Sequence, residues 1–264
     1  MGSQDPDSLF ELCRLSSARY QQLASRSAGS VFQSALLREL VRDDVLISHK
    51  QKPTPNPVPM ADMVNQDRAG LSLDAPVGIH SDVVEIDFTS MFPWLMHTKN
   101  ISAETMSDCE GVKAPGVDVF VRDDIEGYVA KSLKPFLDAR LKYKANPTSI
   151  NRKKAAALKG VLVSANGYLR YREFKLGLPT THVALCAYVR KYFLDAKALA
   201  EERGFRVLHG LVDSLYIHKP AIQEREVQRL IWDIEKLTGI PMEFEGRFKW
   251  VVFLSSVSED RPVP

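Results

Sequence analysis

The sequence predicts an α+β fold in which a helical hairpin is inserted into a sheet. Three observations carry that prediction. Apolar, β-branched runs of strand length recur at 82–88, 205–209, 214–218 and 242–254. Two segments of helical period, 124–145 and 150–166, follow one another across Asn146-Pro147-Thr148-Ser149. The order strand, helical hairpin, helix, β-hairpin, helix, strand then fits a sheet with helices against it.

Taken in order, residues 7–27 and 28–44 read as two helices. Phe10, Leu12, Leu15 and Tyr20, then Val31, Leu36, Leu37, Leu40 and Val41, recur at roughly helical spacing. The opening Met1-Gly2-Ser3-Gln4-Asp5-Pro6 is given no structural role. From His49 to Gly78, Pro53, Pro55, Pro57 and Pro59 forbid regular helix, so this stretch reads as a linker or surface excursion. After strand 82–88 a helix is expected at 91–97, where Phe92, Leu95 and Met96 share a side, and a short strand at 117–122. Pro135 should kink or divide the first helix of the hairpin. A long helix over 180–203 stops at Gly204, and helix 222–238 stops at Gly239, both suited to the left-handed position past a helix end. Between them, strand 205–209, a Gly210–Asp213 turn and strand 214–218 form a hairpin. The segment 242–254 is a bent strand or a pair of strands.

At 264 residues the chain can hold one large domain or two small ones. Its 45% hydrophobic and 26% charged residues are ordinary for a folded protein. No run approaches the roughly 18 apolar residues of a membrane span, and no leader pattern opens the chain. Cys13, Cys109 and Cys186 are odd in number, far apart and in no metal-ligand spacing. Reduced thiols, a cytoplasmic location and no membrane partner are the expectations. The net charge of +2 is bland, but its distribution is not: Lys131–Lys175 holds twelve Lys/Arg against two Asp/Glu, leaving a balance of −8 elsewhere. That block is either a solvated helix face or a surface for a polyanion.

Two aspartates say the most about chemistry. Asp87 ends the run Val83-Val84-Glu85-Ile86, and Asp213 follows Val207-Leu208-His209-Gly210-Leu211-Val212. An aspartate at a strand end is often only a cap or turn residue. Two of them at the tips of buried strands, with a basic helical segment between, point instead to a Mg²⁺ site for phosphoryl transfer, because buried carboxylates need a positive partner.

The strings around these residues resemble a known family. Asp87-Phe88-Thr89-Ser90-Met91-Phe92-Pro93 is similar to the first palm motif of family B DNA polymerases, and His209-Gly210-Leu211-Val212-Asp213-Ser214 to an altered form of their Tyr-Gly-Asp-Thr-Asp-Ser motif. Lys159-Gly160-Val161-Leu162-Val163-Ser164-Ala165-Asn166-Gly167-Tyr168 is similar to the fingers motif Lys-x-x-x-Asn-Ser-x-Tyr-Gly. The pattern most resembles the divergent second branch of archaeal family B polymerases. The resemblance implies a polymerase palm, a ferredoxin-like antiparallel sheet with helices, carrying an inserted helical-hairpin fingers subdomain. It implies N-terminal helices and linker over 1–80, palm over 81–123 and 169–264, and fingers over 124–168.

By the same resemblance Asp87 and Asp213 are catalytic and hold two Mg²⁺ ions, replaceable by Mn²⁺, with the Phe88 carbonyl as a further ligand. Lys159, Arg140 and Lys144 would clamp the incoming triphosphate; Ser90, Met91, Phe92 and Asn166 complete the expected nucleotide contacts. Phe92 matches an aromatic gate against the ribose 2′-hydroxyl, or else simply packs in the core. Ser214, Gly167, Tyr168, Arg247 and Lys249 are the expected DNA contacts, although Arg247 and Lys249 could equally be the wet side of an amphipathic strand. Leu211 replaces one motif aspartate, and Val163 and Asn166 replace the motif Asn and Tyr. These changes imply reduced metal affinity or rate and looser base-pair checking.

The implied partners are primer–template DNA and deoxynucleotides, with an additional polymerase subunit or thumb-bearing segment. Exonuclease and thumb are expected to be absent, and with them proofreading and a firm grip on duplex. Two other readings stand beside the polymerase: a catalytically weakened or inactive paralogue acting as a DNA-binding scaffold, and an α+β enzyme acting on small phosphorylated molecules.

Overall fold

The computed structural model describes residues 5–24, 27–46, 67–171, 174, 176–255 and 262–263. The prolines at 53–59 lie outside them. The chain divides into two compact units, Met1–Asp67 with Phe92–Leu185, and Arg68–Met91 with Cys186–Pro264.

The first unit is mainly helical. It contains α1 (Pro6–Ser16), α2 (Tyr20–Ala24), α3 (Ala28–Arg42), α4 (Met91–Thr98, from its second residue), α5 (Tyr128–Ala145), α6 (Ser149–Arg170) and the start of α7 (Pro179–Glu202). The single helix expected over 7–27 is broken because Ser17 turns left-handed at φ 58° and its N–H caps the Cys13 carbonyl. Asp5 and Pro6, given no role from sequence, start α1 at its N-cap and first helical positions. α5 runs on through Pro135, which neither divides nor ends it. α3 packs against both α5 and α6. Phe32, Leu36, Leu40, Leu133, Phe136, Leu158 and Leu162 are buried. Glu39 is buried too, and its charge is met by Arg38 at 3.0 Å and Arg42 at 2.9 Å. The one strand expected at 117–122 is part of a small sheet, β3 (Met106–Ser107), β4 (Val112–Lys113) and β5 (Phe120–Val121), in the order β3-β5-β4.

The second unit is a six-stranded antiparallel sheet. It comprises β1 (Ser72–Leu73), β2 (Gly78–Phe88), β6 (Arg206–Leu211), β7 (Ser214–His218), β8 (Met242–Ser255) and β9 (Pro262–Val263), in the order β1-β6-β7-β2-β8-β9. α8 (Glu224–Thr238) packs on β8 with Val227, Leu230, Ile231 and Ile234 buried, and ends at Gly239 with φ 70°. β8 is one long strand rather than two. β2 begins four residues before its expected start, because the chain turns through Asp82 at φ 51° without leaving the sheet. From Val84 onward β2 alternates strictly: Val84, Ile86 and Phe88 are buried, Glu85 and Asp87 are not fully so.

The β6–β7 hairpin is locked from behind. Gly210 pairs with Leu215, and a Cβ at Gly210 would come 2.4 Å from the ring of Phe193 on α7, which is itself fully buried. Gly210→Ala is therefore expected to force that ring aside and cost about 1–3 kcal/mol, read as a lowered urea midpoint at unchanged slope.

Candidate metal centre

β2 is paired on both sides up to its last residues. Asp87 stands opposite Ser214 on β7 and opposite Glu243 on β8. Two carboxylates directly across a strand pair repel one another. One step further the register breaks: Ile86 pairs with Phe244 but Glu85 pairs with Gly246, which makes Glu245 the extra residue of a β-bulge. The bulge sets glycine, rather than a second glutamate, against Glu85. Carboxylate oxygens of Asp87, Glu243 and Glu245 then lie within 4.8 Å of one another. An all-oxygen donor set of this kind suits a hard divalent ion.

Asp213 sits on the two-residue turn between β6 and β7. Its carbonyl accepts from the Phe88 N–H at 3.0 Å, so the turn is tied to the end of β2 by main chain. Its own N–H donates to the Leu211 carbonyl at 2.7 Å, and Val212 between them has φ 61°. A positive φ at a β-branched residue is strained. The Val212 N–H donates to the Leu71 carbonyl at 2.9 Å, which holds the turn in that shape. Leu211 is half exposed, and Ser214 reaches back to the Leu211 carbonyl at 3.4 Å.

Beside the carboxylates stands Tyr216, which is directly opposite Glu85 where β7 pairs with β2. Burial, reinforced by the nearness of the Glu85, Asp87 and Glu245 carboxylates, pushes the Tyr216 phenol up to about 12. Its ring lies between His209, with centroids 5.5 Å apart, and Phe248, stacked at 6.3 Å and 23°. His209 is buried, and its Nδ1 lies 2.6 Å from the Leu73 carbonyl. A carbonyl only accepts, so Nδ1 carries the proton.

The remaining predicted residues are placed as follows. Ser90, at φ 56°, turns the chain from β2 into α4; Met91 is fully buried, which leaves only its backbone for a nucleotide, and Phe92 is half-buried. In the helical unit Arg140 is buried on α5, Lys144 half-buried, and Lys159 exposed on α6. Asn166 is half-buried and Gly167 exposed. The Tyr168 ring packs with Phe32, Tyr171 and Phe174 and fills the space where Gly29 lacks a Cβ. On β8, Arg247 pairs with Asp82 at 3.1 Å and Lys249 is exposed. Sequence reasoning missed Glu243, Glu245, Glu85 and Tyr216. The signal was present as Glu243-x-Glu245 at the head of a strand, but only the register sets it against Asp87.

These features define a class: an antiparallel sheet whose central strand presents a carboxylate to two more, beside a tight hairpin turn bearing a fourth. Among solved structures, the chain matches the family B DNA polymerase of Pyrobaculum calidifontis with a TM-score of 0.71 and 24% identity, over 97% of this chain and 33% of that one. By sequence it is 30% identical over 194 residues to DNA polymerase 2 of Saccharolobus solfataricus, covering 74% of this chain and 29% of the relative. DNA polymerase 1 of the same organism is 24% identical over 204 residues, covering 70% of this chain and 23% of the relative. No family model matches. The chain belongs to the family B DNA polymerases. It spans about a third or less of the length of these relatives. No described helix is long and apolar enough to cross a membrane.

The Tyr216 environment has a measurable consequence. An unfolded tyrosine titrates near pH ~10, below the folded value of about 12. Tyr216 therefore adds stability that is fully present below the unfolded value and is lost as pH rises through the folded one. Urea midpoints taken from pH 9 to 12 are expected to fall further for the wild type than for Tyr216→Phe, by on the order of 2 kcal/mol.

Proposed function

We propose that the chain is the core of a template-directed DNA polymerase, adding deoxynucleotides to a primer 3′ end by two-metal phosphoryl transfer. The observation that carries this reading is the meeting of Asp87 with Glu243 and Glu245 beside the turn bearing Asp213. Asp87 and Asp213 would hold the ions with the Phe88 carbonyl, and Glu243 and Glu245 add negative charge. Two Mg²⁺ ions held there, or Mn²⁺ in their place, would supply stabilisation of the attacking and leaving oxygens.

In this reading the sheet is the palm and the α5–α6 hairpin the fingers. Lys159, Arg140 and Lys144 neutralise the triphosphate, Phe92 excludes the 2′-hydroxyl, and Ser214, Gly167, Tyr168, Arg247 and Lys249 touch primer–template DNA. Asn166, in place of a ring, leaves the nascent base pair less tightly checked, which suits mismatched or damaged ends. A further subunit or thumb-bearing segment would strengthen the grip on duplex. The second reading, a DNA-binding scaffold with weakened or lost catalysis, is favoured by Leu211, a half-exposed aliphatic side chain in the place of a motif aspartate.

Primer extension at low salt separates the two. Asp87→Asn and Asp213→Asn are each expected to lower incorporation by about a thousandfold while primer–template binding survives. Binding without incorporation by the wild type, in Mg²⁺ and in Mn²⁺, would instead establish the scaffold.

A further inference from the structure

We propose that Gly70 and Arg190 are positioning residues for Asp213. Together they hold residues 69–71 as a strap over the strained turn at Val212, and through that turn they fix the carboxylate that follows it. The inference rests on the polymerase reading and deepens it.

The turn is a costly one. The Leu211 carbonyl accepts from the Asp213 N–H two residues on, at 2.7 Å, and Val212 between them stands at φ 61°. A bond of that span around a residue of positive φ is the rare, strained form of the γ-turn, and a β-branched residue suits it badly. Relaxing Val212 to negative φ means rotating the peptide that joins it to Leu211. That rotation swings the Val212 N–H away from the Leu71 carbonyl, which it meets at 2.9 Å. One main-chain hydrogen bond therefore opposes the relaxation, and Asp213 is the next residue.

That bond lasts only while the chain at 69–71 stays close. Leu71 lies one step beyond β1, where Ser72 pairs with Leu211 and Leu73 with Gly210. β1 is an edge strand of two residues, shorter than strands that persist unaided. Three features hold it. At one end Arg190 on α7 donates through Nη1 to the carbonyl of Ala69 at 2.7 Å, and Ala69 is itself left-handed at φ 50°. At the other end the Leu73 carbonyl meets His209 Nδ1 at 2.6 Å. In the middle Gly70 lies against Val212: a Cβ there would come 2.9 Å and 3.0 Å from the two Val212 methyls. Gly70 does not have positive φ, so it is closeness rather than conformation that requires glycine. Arg190 and Phe193 are three residues apart on α7, so neighbouring turns of one helix carry the anchor of the strap and the ring behind Gly210.

Mn²⁺ binding to the full chain, followed by the electron paramagnetic resonance of the free ion, tests this without relying on activity. Wild type should bind Mn²⁺ at a site that Asp213→Asn weakens. Gly70→Ala should weaken the same site about tenfold and Arg190→Gln about threefold, with Arg190→Lys, which still donates, recovering part of the loss. In an Asp213→Asn background neither change should weaken binding further, because the group they position is gone. Val212→Gly accepts positive φ without strain and removes the methyls that a Cβ at position 70 would strike, so it should restore the affinity lost in Gly70→Ala. Hydrogen exchange at the Val212 amide should quicken in both strap variants. Unchanged Mn²⁺ affinity in either folded variant, or the same loss with and without the Asp213 carboxylate, overturns the inference and leaves the polymerase reading standing. Absence of an Asp213-dependent site in the wild type overturns both. Should Gly70→Ala fail to fold, Arg190→Gln, whose bond lies at the surface, decides alone.

Discussion

The placement of Asp87 opposite Glu243 is the constraint from which the rest of the sheet end follows. It is set by burial. Val84, Ile86 and Phe88 go to the core beside Ile217 and Leu215, their partners on β7. That sends Glu85 and Asp87 to the other face. A slip of one residue would exchange the two sets, burying carboxylates and exposing Ile86 and Phe88. The apolar residues therefore fix the register, and the register fixes which charges meet. Once Asp87 is at the end of a strand paired on both sides, it must tolerate whatever stands opposite. On one side that is a serine; on the other it is a glutamate.

The bulge and the hairpin turn are two local answers to this crowding. The bulge adds Glu245 to the cluster while keeping it from standing directly opposite Glu85. The turn brings Asp213 to the end of β2 through a conformation that valine disfavours, at a cost of order 1–3 kcal/mol. That cost is borne by the packing behind it, where Gly210 lets the Phe193 ring approach and Gly70 lies against the Val212 side chain. Strain here is maintained by ordinary core contacts, which is why a glycine packed on the Phe193 ring governs the geometry of an aspartate three residues on.

Sequence reasoning reached the element order, the hairpin and the helix ends at Gly204 and Gly239, because each of these is written locally, in periodicity, glycine and apolar runs. It missed what depends on pairing. Glu243 and Glu245 lie some 150 residues from Asp87 in the chain, and nothing in their neighbourhood distinguishes them from the wet side of an amphipathic strand until the register is known. The same blindness affected Tyr216, which reads as one more β-forming aromatic. The break at Ser17 was missed for another reason: it is decided by a left-handed residue and the hydrogen bond it closes, which override the helical period of the segment.

Leu211 is the feature that makes an inert scaffold plausible, yet the cluster argues against reading it alone. A DNA-binding scaffold gains from positive charge and has no use for three carboxylate oxygens within 4.8 Å of one another. Set against a polyanion, such carboxylates oppose binding. The strand pairing sets Glu243 opposite Asp87, and the bulge adds Glu245 to them. An all-oxygen group of this kind is the donor set that a hard divalent cation takes, so the cluster speaks for the polymerase reading proposed above and Leu211 for the scaffold.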